Sequence, residues 1–253
     1  MARSAAPLLL LALRDAAACT NMLVSAGATT DGSTHIAYNA DDGGLYGSLG
    51  HYPAADHPPG SVREIWDWDG SFYIGSIPEV PHTYNVVGNT NEWGLTIGET
   101  TWGGRDGGKQ VGAIMDYGSL IWVTLQRSKT AREAVKTIDH LLQTYGYSSS
   151  GESFSIGDTK EAWLMEIYPK GVELGAVWVA SRVPDGYVGS HANQARTRTF
   201  KMDDPDNVLF AKDVVTYAQR KGWYPKDKPA EEFDFAAACE CNGRLGLRLL
   251  PMH

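Results

Sequence analysis

The alternation of apolar and polar residues divides the chain into strand-length and helix-length stretches. Met22-Leu23-Val24 is a short apolar run, and Thr34-His35-Ile36-Ala37-Tyr38 alternates. Between them stands Asp31-Gly32, a pair that favours tight turns, so residues 20–40 are predicted to form a β-hairpin. Asp69-Gly70, flanked by residues 62–68 and 71–74, predicts a second. Residues 84–88 and 95–98 read as strands around a turn at 89–94. The period then changes. Residues 116–127 have apolar helical spacing, and Thr130-Ala131-Arg132-Glu133 is a capping box. It opens a helix whose apolar face is Ala134, Val135, Ile138, Leu141, Leu142 and Tyr145, closed by Gly146. Strands return at 152–157, 162–167 and 177–182. A last helix is predicted from a cap at Asp206 or Asn207 through Val208, Ala211, Val214, Val215 and Ala218 to Gly222. Strands, helices, strands, helix is the order of an α+β layered sandwich, not of alternating βαβ units.

Composition narrows the class. At 253 residues, 43% apolar and 21% charged, the chain is an ordinary globular one. A net charge of −8 argues against a general nucleic-acid binder, which needs a basic surface. Cys239-Glu240-Cys241 is too tightly spaced for a zinc half-site, and His51 and His57 have no evident third ligand. No metal and no cofactor are therefore expected. The glycine-rich stretch 103–108 lacks the context of a phosphate loop.

The amino end reads as a leader or propeptide over residues 1–18. Arg3, the apolar run 7–13 and Ala16-Ala17-Ala18 outline a processing signal, which Arg14 and Asp15 interrupt. The run is too short to span a bilayer. As a signal peptide it implies export; otherwise the protein is cytoplasmic. A cut after Ala18 puts Cys19 at the new amino terminus.

An amino-terminal cysteine carries its own base. The α-amine titrates at about 7.7–8.0 and can take the thiol proton without a histidine. The hairpin that follows ends in Asn39-Ala40-Asp41, which antiparallel pairing returns toward residue 19, so Asp41 (or Asp42) is the candidate to orient the amine. Attack on a carbonyl also needs donors for the oxyanion. Asn91, in a turn before a strand, and Asn193, after a strand, are the candidates. Arg196 is a candidate anchor for a substrate carboxylate. A different arrangement pairs Cys19 with His191 as base and Asn193 as its orienter.

Several segments carry a family resemblance: Cys19-Thr20-Asn21-Met22-Leu23-Val24, Tyr84-Asn85-Val86-Val87-Gly88-Asn89, Gly98-Glu99-Thr100-Thr101-Trp102-Gly103-Gly104-Arg105, Arg182-Val183-Pro184-Asp185-Gly186-Tyr187 and His191-Ala192-Asn193-Gln194-Ala195-Arg196. In order, from Cys19 to Phe235, the chain resembles the dipeptidase A family of cysteine peptidases, relatives of the secernins. The resemblance implies an amino-terminal-nucleophile hydrolase domain over 19–235, a four-layer αββα sandwich. It implies hydrolysis of dipeptides without metal, with Cys19 as nucleophile. A wider similarity to penicillin V acylases and bile salt hydrolases concerns Asp41, Asn91 and Asn193, and leaves amides other than dipeptides as a further substrate class. Those acylases have an arginine where this chain has Tyr38. The resemblance stops near Phe235, so residues 236–253 are expected to be a divergent tail and the sandwich incomplete there. That end leaves open an inactive, secernin-like interaction protein.

Overall fold

The computed structural model describes residues 19–41, 47–105, 110–240 and 250–251. The first hairpin forms as predicted, from β1 (Thr20–Val24) and β2 (His35–Asn39). Short strands follow: β3 (His51–Tyr52), β4 (Ala55–Asp56), the hairpin β5 (Val62–Trp66) and β6 (Tyr73–Pro78), then β7 (His82–Thr83), β8 (Val86–Val87) and β9 (Thr90–Asn91). After β10 (Thr96–Trp102) come helices α1 (Tyr117–Arg127) and α2 (Ala131–Tyr145). The second half holds β11 (Gly151–Gly157), β12 (Ala162–Pro169), β13 (Ala176–Arg182), β14 (Tyr187–Ala192), β15 (Val208–Phe210), α3 (Val214–Arg220), α4 (Phe235–Cys239) and β16 (Leu250–Pro251).

Two antiparallel sheets face each other. The larger runs β15-β13-β12-β11-β10-β9-β8-β3 and the smaller β16-β14-β1-β2. Capping explains the two long helices. Asp116 accepts the Ser119 N–H at 2.7 Å, and Thr130 accepts that of Glu133. The Glu133 carboxylate reaches back to the Lys129 N–H at 2.8 Å, one residue beyond the usual box. Gly146 ends α2 at φ +75°, where a side chain is disfavoured. The apolar stripe of α2 packs with Leu120 and Ile121 of α1 against Ile97, Phe154, Ile156, Met165 and Ile167 of the larger sheet. Each such fully buried side chain contributes about 1.5–3 kcal/mol. Leu23, Ala162, Leu164 and Val183 form a second cluster between the sheets.

Gly98 sets how closely the sheets approach. A Cβ there would lie 2.8 Å from the Cβ of Tyr38 and 3.1 Å from the Asn21 amide nitrogen, so only glycine lets β2 and β1 settle onto β10.

Three expectations change. Residues 208–210 form an edge strand on β13 instead of a helical turn, and the helix begins at Val214. The Asn207 side chain bonds Asp204 in a turn, while the Asn207 carbonyl accepts the Arg182 N–H. Of the four-layer sandwich, expected to be incomplete toward its carboxyl end, the second helix layer is not seen among the described residues. Thr20 and Met22, on the outer face of β1, are exposed. The tail expected after Phe235 starts inside the core. Phe235, Ala236, Ala238 and Cys239 are buried in α4, and the Phe235 ring meets Trp102 edge-on. Cys241 lies outside the described residues.

Candidate active site

Strand register places the first candidates. On β1, Thr20 pairs with Ala192 and Asn21 with His191 of β14. One further step sets Cys19 opposite Asn193. On the other side Thr20 pairs with Asn39 of β2, so the residues after Asn39 return beside Cys19. The thiol is half-buried and receives the Asp41 backbone N–H and the Asn193 side-chain amide. Burial pushes the thiol pKa up, and the charges of Glu99 and Asp41 push the same way; the two N–H donors oppose them. The Asn193 amide also donates to the Thr101 carbonyl at 2.6 Å. Two carboxylates fix the loop that follows. Glu166 accepts the Arg196 and Thr197 N–H groups, each at 2.6 Å, and Glu240 accepts that of Ala195 at 3.0 Å.

Cys19, Asp41 and Asn193 are therefore brought together. Asn91 is not among them. Its amide donates to the Leu125 and Ser128 carbonyls at 2.8 and 2.7 Å, and its oxygen accepts the Trp93 and Leu95 N–H groups at 3.0 and 3.1 Å. Every hydrogen-bonding position of the side chain is spent on the turn before β10 and the α1–α2 link. Thr101, beside Asn193, lies six residues further along the chain from Leu95, about 20 Å at strand rise. Arg196 stands apart as well. It lines a cavity of about 230 Å³ with Leu23, Leu164, Val183 and Phe200, which Cys19 does not line.

His191 is not a base for Cys19. It faces between the sheets, 2% exposed, with Nδ1 2.7 Å from the Thr100 hydroxyl and Nε2 2.7 Å from that of Ser155. Burial, helped by the Arg196 charge, lowers its pKa to about 3. The neutral ring clasps β10 and β11 to β14, the strand that pairs with β1, donating from one nitrogen and accepting at the other. The sign of the pH effect follows. A folded value below the ordinary 6.5 favours the neutral ring in the fold. Its stabilisation is complete above about pH 6.5 and is lost progressively as pH falls toward 3. Denaturation midpoints of wild type and His191→Leu should therefore converge as pH falls from about 6.5 to 4, the wild type being the more stable at pH 7. Glu152 and Glu166, buried and raised, act with the opposite sign and favour the fold in acid.

Residues missed in the sequence complete the cluster. Tyr38 donates to Glu99 Oε1 at 2.5 Å, and Thr101 donates to Glu152 Oε2 at 3.0 Å. Glu99, Glu152 and Glu166 each sit inside a strand of the larger sheet and are buried, Glu166 in an otherwise apolar sequence. A carboxylate in such a place needs a partner, and that was the available signal.

A profile described as peptidase family C69 matches residues 48–242, well over half of the chain. The chain belongs to peptidase family C69. It is 28% identical over 249 residues to a protein of Salmonella dublin named probable dipeptidase, covering 90% of this chain and 54% of that one. A probable dipeptidase of Latilactobacillus sakei is 25% identical over 230 residues, covering 83% and 46%. A probable dipeptidase A of Streptococcus pyogenes serotype M18 is 27% identical over 219 residues, covering 79% and 44%. The chain thus spans about half the length of the curated relatives it matches. Among the described residues no helix is long and apolar enough to cross a membrane, and no three His, Cys, Asp or Glu side chains gather as metal ligands.

Proposed function

We propose that this C69 peptidase is a cysteine dipeptidase whose nucleophile is Cys19, exposed as the amino-terminal residue by removal of residues 1–18, in an amino-terminal-nucleophile hydrolase domain. The observation that carries the reading is the meeting of the Asn193 amide and the Asp41 N–H at the Cys19 sulfur, just past the Thr20–Ala192 pair that ends the β1–β14 ladder. The similar proteins of Salmonella, Latilactobacillus and Streptococcus are named dipeptidases, which supports the substrate class.

The reaction runs in two halves. The Cys19 amine takes the thiol proton, and the thiolate adds to the peptide carbonyl. The Asn193 amide donates to the oxyanion, the kind of donor that contributes about 3–4 kcal/mol to the barrier. The tetrahedral intermediate collapses, the C–N bond breaks, and the leaving amine takes the proton from the Cys19 ammonium. A thioester remains. Water then adds to it, losing a proton to the same amine, and the acid and the thiol are released. Asp41 holds the amine in place. Asn91 has no part in this scheme, because its amide is committed elsewhere.

Mass spectrometry of the purified, active protein tests the scheme. The expected amino terminus is Cys19 in the active fraction. Full dipeptide turnover by protein that retains Met1 would exclude the amine as base.

A further inference from the structure

Glu99 has no assigned role in the scheme above, yet it is tied to both strands beside the nucleophile. With its amide turned to satisfy its neighbours, Asn21 accepts the Glu99 N–H at 3.0 Å and the Ser155 hydroxyl at 3.1 Å, and donates to the Glu99 carbonyl at 3.2 Å. Tyr38 of β2 holds the Glu99 carboxylate. Glu152 lies behind it, fully buried. Burial and the Glu99 charge raise the Glu152 carboxyl well above the usual carboxylate range.

The charge balance at Cys19 is therefore one-sided. The leading charges acting on the thiol are those of Glu99 and Asp41, both negative. Position 38, beside the site, carries a phenol and no cation. Burial works against ionisation of that phenol, and so does the Glu99 charge. Such surroundings disfavour a lone thiolate and favour a thiolate paired with a cation. An acceptor points the same way. Among the described residues, the buried Asn193 Oδ1 has no hydrogen-bond donor. A primary ammonium offers three donors and one positive charge.

We propose that Glu99 is the counter-ion of a primary ammonium held at the Cys19 site. Two amines have that chemistry: the α-amine of a dipeptide substrate and the α-amine of Cys19 itself. The inference rests on the reading of Cys19 as a processed, amino-terminal nucleophile. On either source, Glu99 makes the site one for protonated amines. If the amine is the substrate's, Glu99 is what restricts cleavage to the first residue of a free peptide.

The experiment compares wild type with Glu99→Gln, both processed to Cys19. Turnover of a free dipeptide and of its N-acetyl form is followed from pH 5 to 10. Other titrating groups near Glu99 are Cys19, Asp41, Tyr38, Glu152, Tyr147 and Tyr117 of α1, and both variants keep all of them. If the substrate supplies the ammonium, KM for the free dipeptide rises about 10- to 100-fold with kcat little changed, and the N-acetyl form is unaffected. If Cys19 supplies it, kcat falls on both substrates and the acid limb of kcat/KM moves to lower pH, because the amine loses the charge that kept it protonated. Equal losses on both substrates with an unmoved acid limb mark a purely structural role and overturn the proposal, as does no change at all. Alkylation of Cys19 by iodoacetamide over the same pH range reads the amine without substrate. If wild type turns over no dipeptide, the dipeptidase reading fails, while a shifted alkylation profile still supports the ion pair and an unshifted one overturns it. Should Glu99→Gln not fold, Glu99→Asp keeps the charge but withdraws it, and smaller shifts in the same directions are expected.

Discussion

Replacing Cys19 with alanine is expected to lower dipeptide turnover by at least about 10⁴-fold, since loss of a covalent nucleophile removes the whole two-step route. The fold should hardly notice. The thiol is half-buried and receives two N–H groups, so its removal costs about 1 kcal/mol. For a domain of this size that is a fall of roughly 2–4 °C in Tm. Turnover in processed Cys19→Ala within tenfold of wild type would remove cysteine chemistry from this protein.

The two asparagines should then separate cleanly. Asn193→Ala is expected to lower kcat by about 10²- to 10³-fold while KM changes little, because its amide serves the oxyanion more than the ground-state carbonyl. Asn91→Ala should do the reverse. It strands two N–H groups and two carbonyls that the side chain now satisfies, a loss of roughly 3 kcal/mol or more. The expected signature is a Tm lower by about 6–12 °C with kcat of the folded protein retained. Paired thermal melts and single-substrate kinetics on both variants decide it. A kcat collapse in Asn91→Ala at unchanged Tm would return that residue to the chemistry.

The contrast also shows how far the sequence could be read. The long helices, the first two hairpins and the inner strands were legible because each signal was local: a cap, a period, or an Asp-Gly turn. Residues 208–210 were misread as helix because their strand is an edge addition to β13, a contact that local spacing does not reveal. Cys19 and Asn193 were chosen from chemistry and resemblance, and they lie together in the structure. Asn91 was chosen on the same grounds, but an asparagine in a turn serves a backbone just as well, and only the hydrogen-bond inventory tells the two uses apart. Glu99 and Glu152 were passed over as strand residues. Their importance depends on a second sheet arriving over Gly98 and bringing Tyr38 with it, a tertiary event that no window of sequence contains.

The pairing of β1 with β14 has one more consequence. Cys19 and Asn193 lie one residue past Thr20–Ala192, the last pair of the β1–β14 ladder, so the strands govern the separation of their backbones. Loops around the cleft can lengthen, shorten or exchange residues without altering it. Drift in such loops can therefore reshape the surroundings, while the spacing of the two proposed catalytic residues is inherited with the strands.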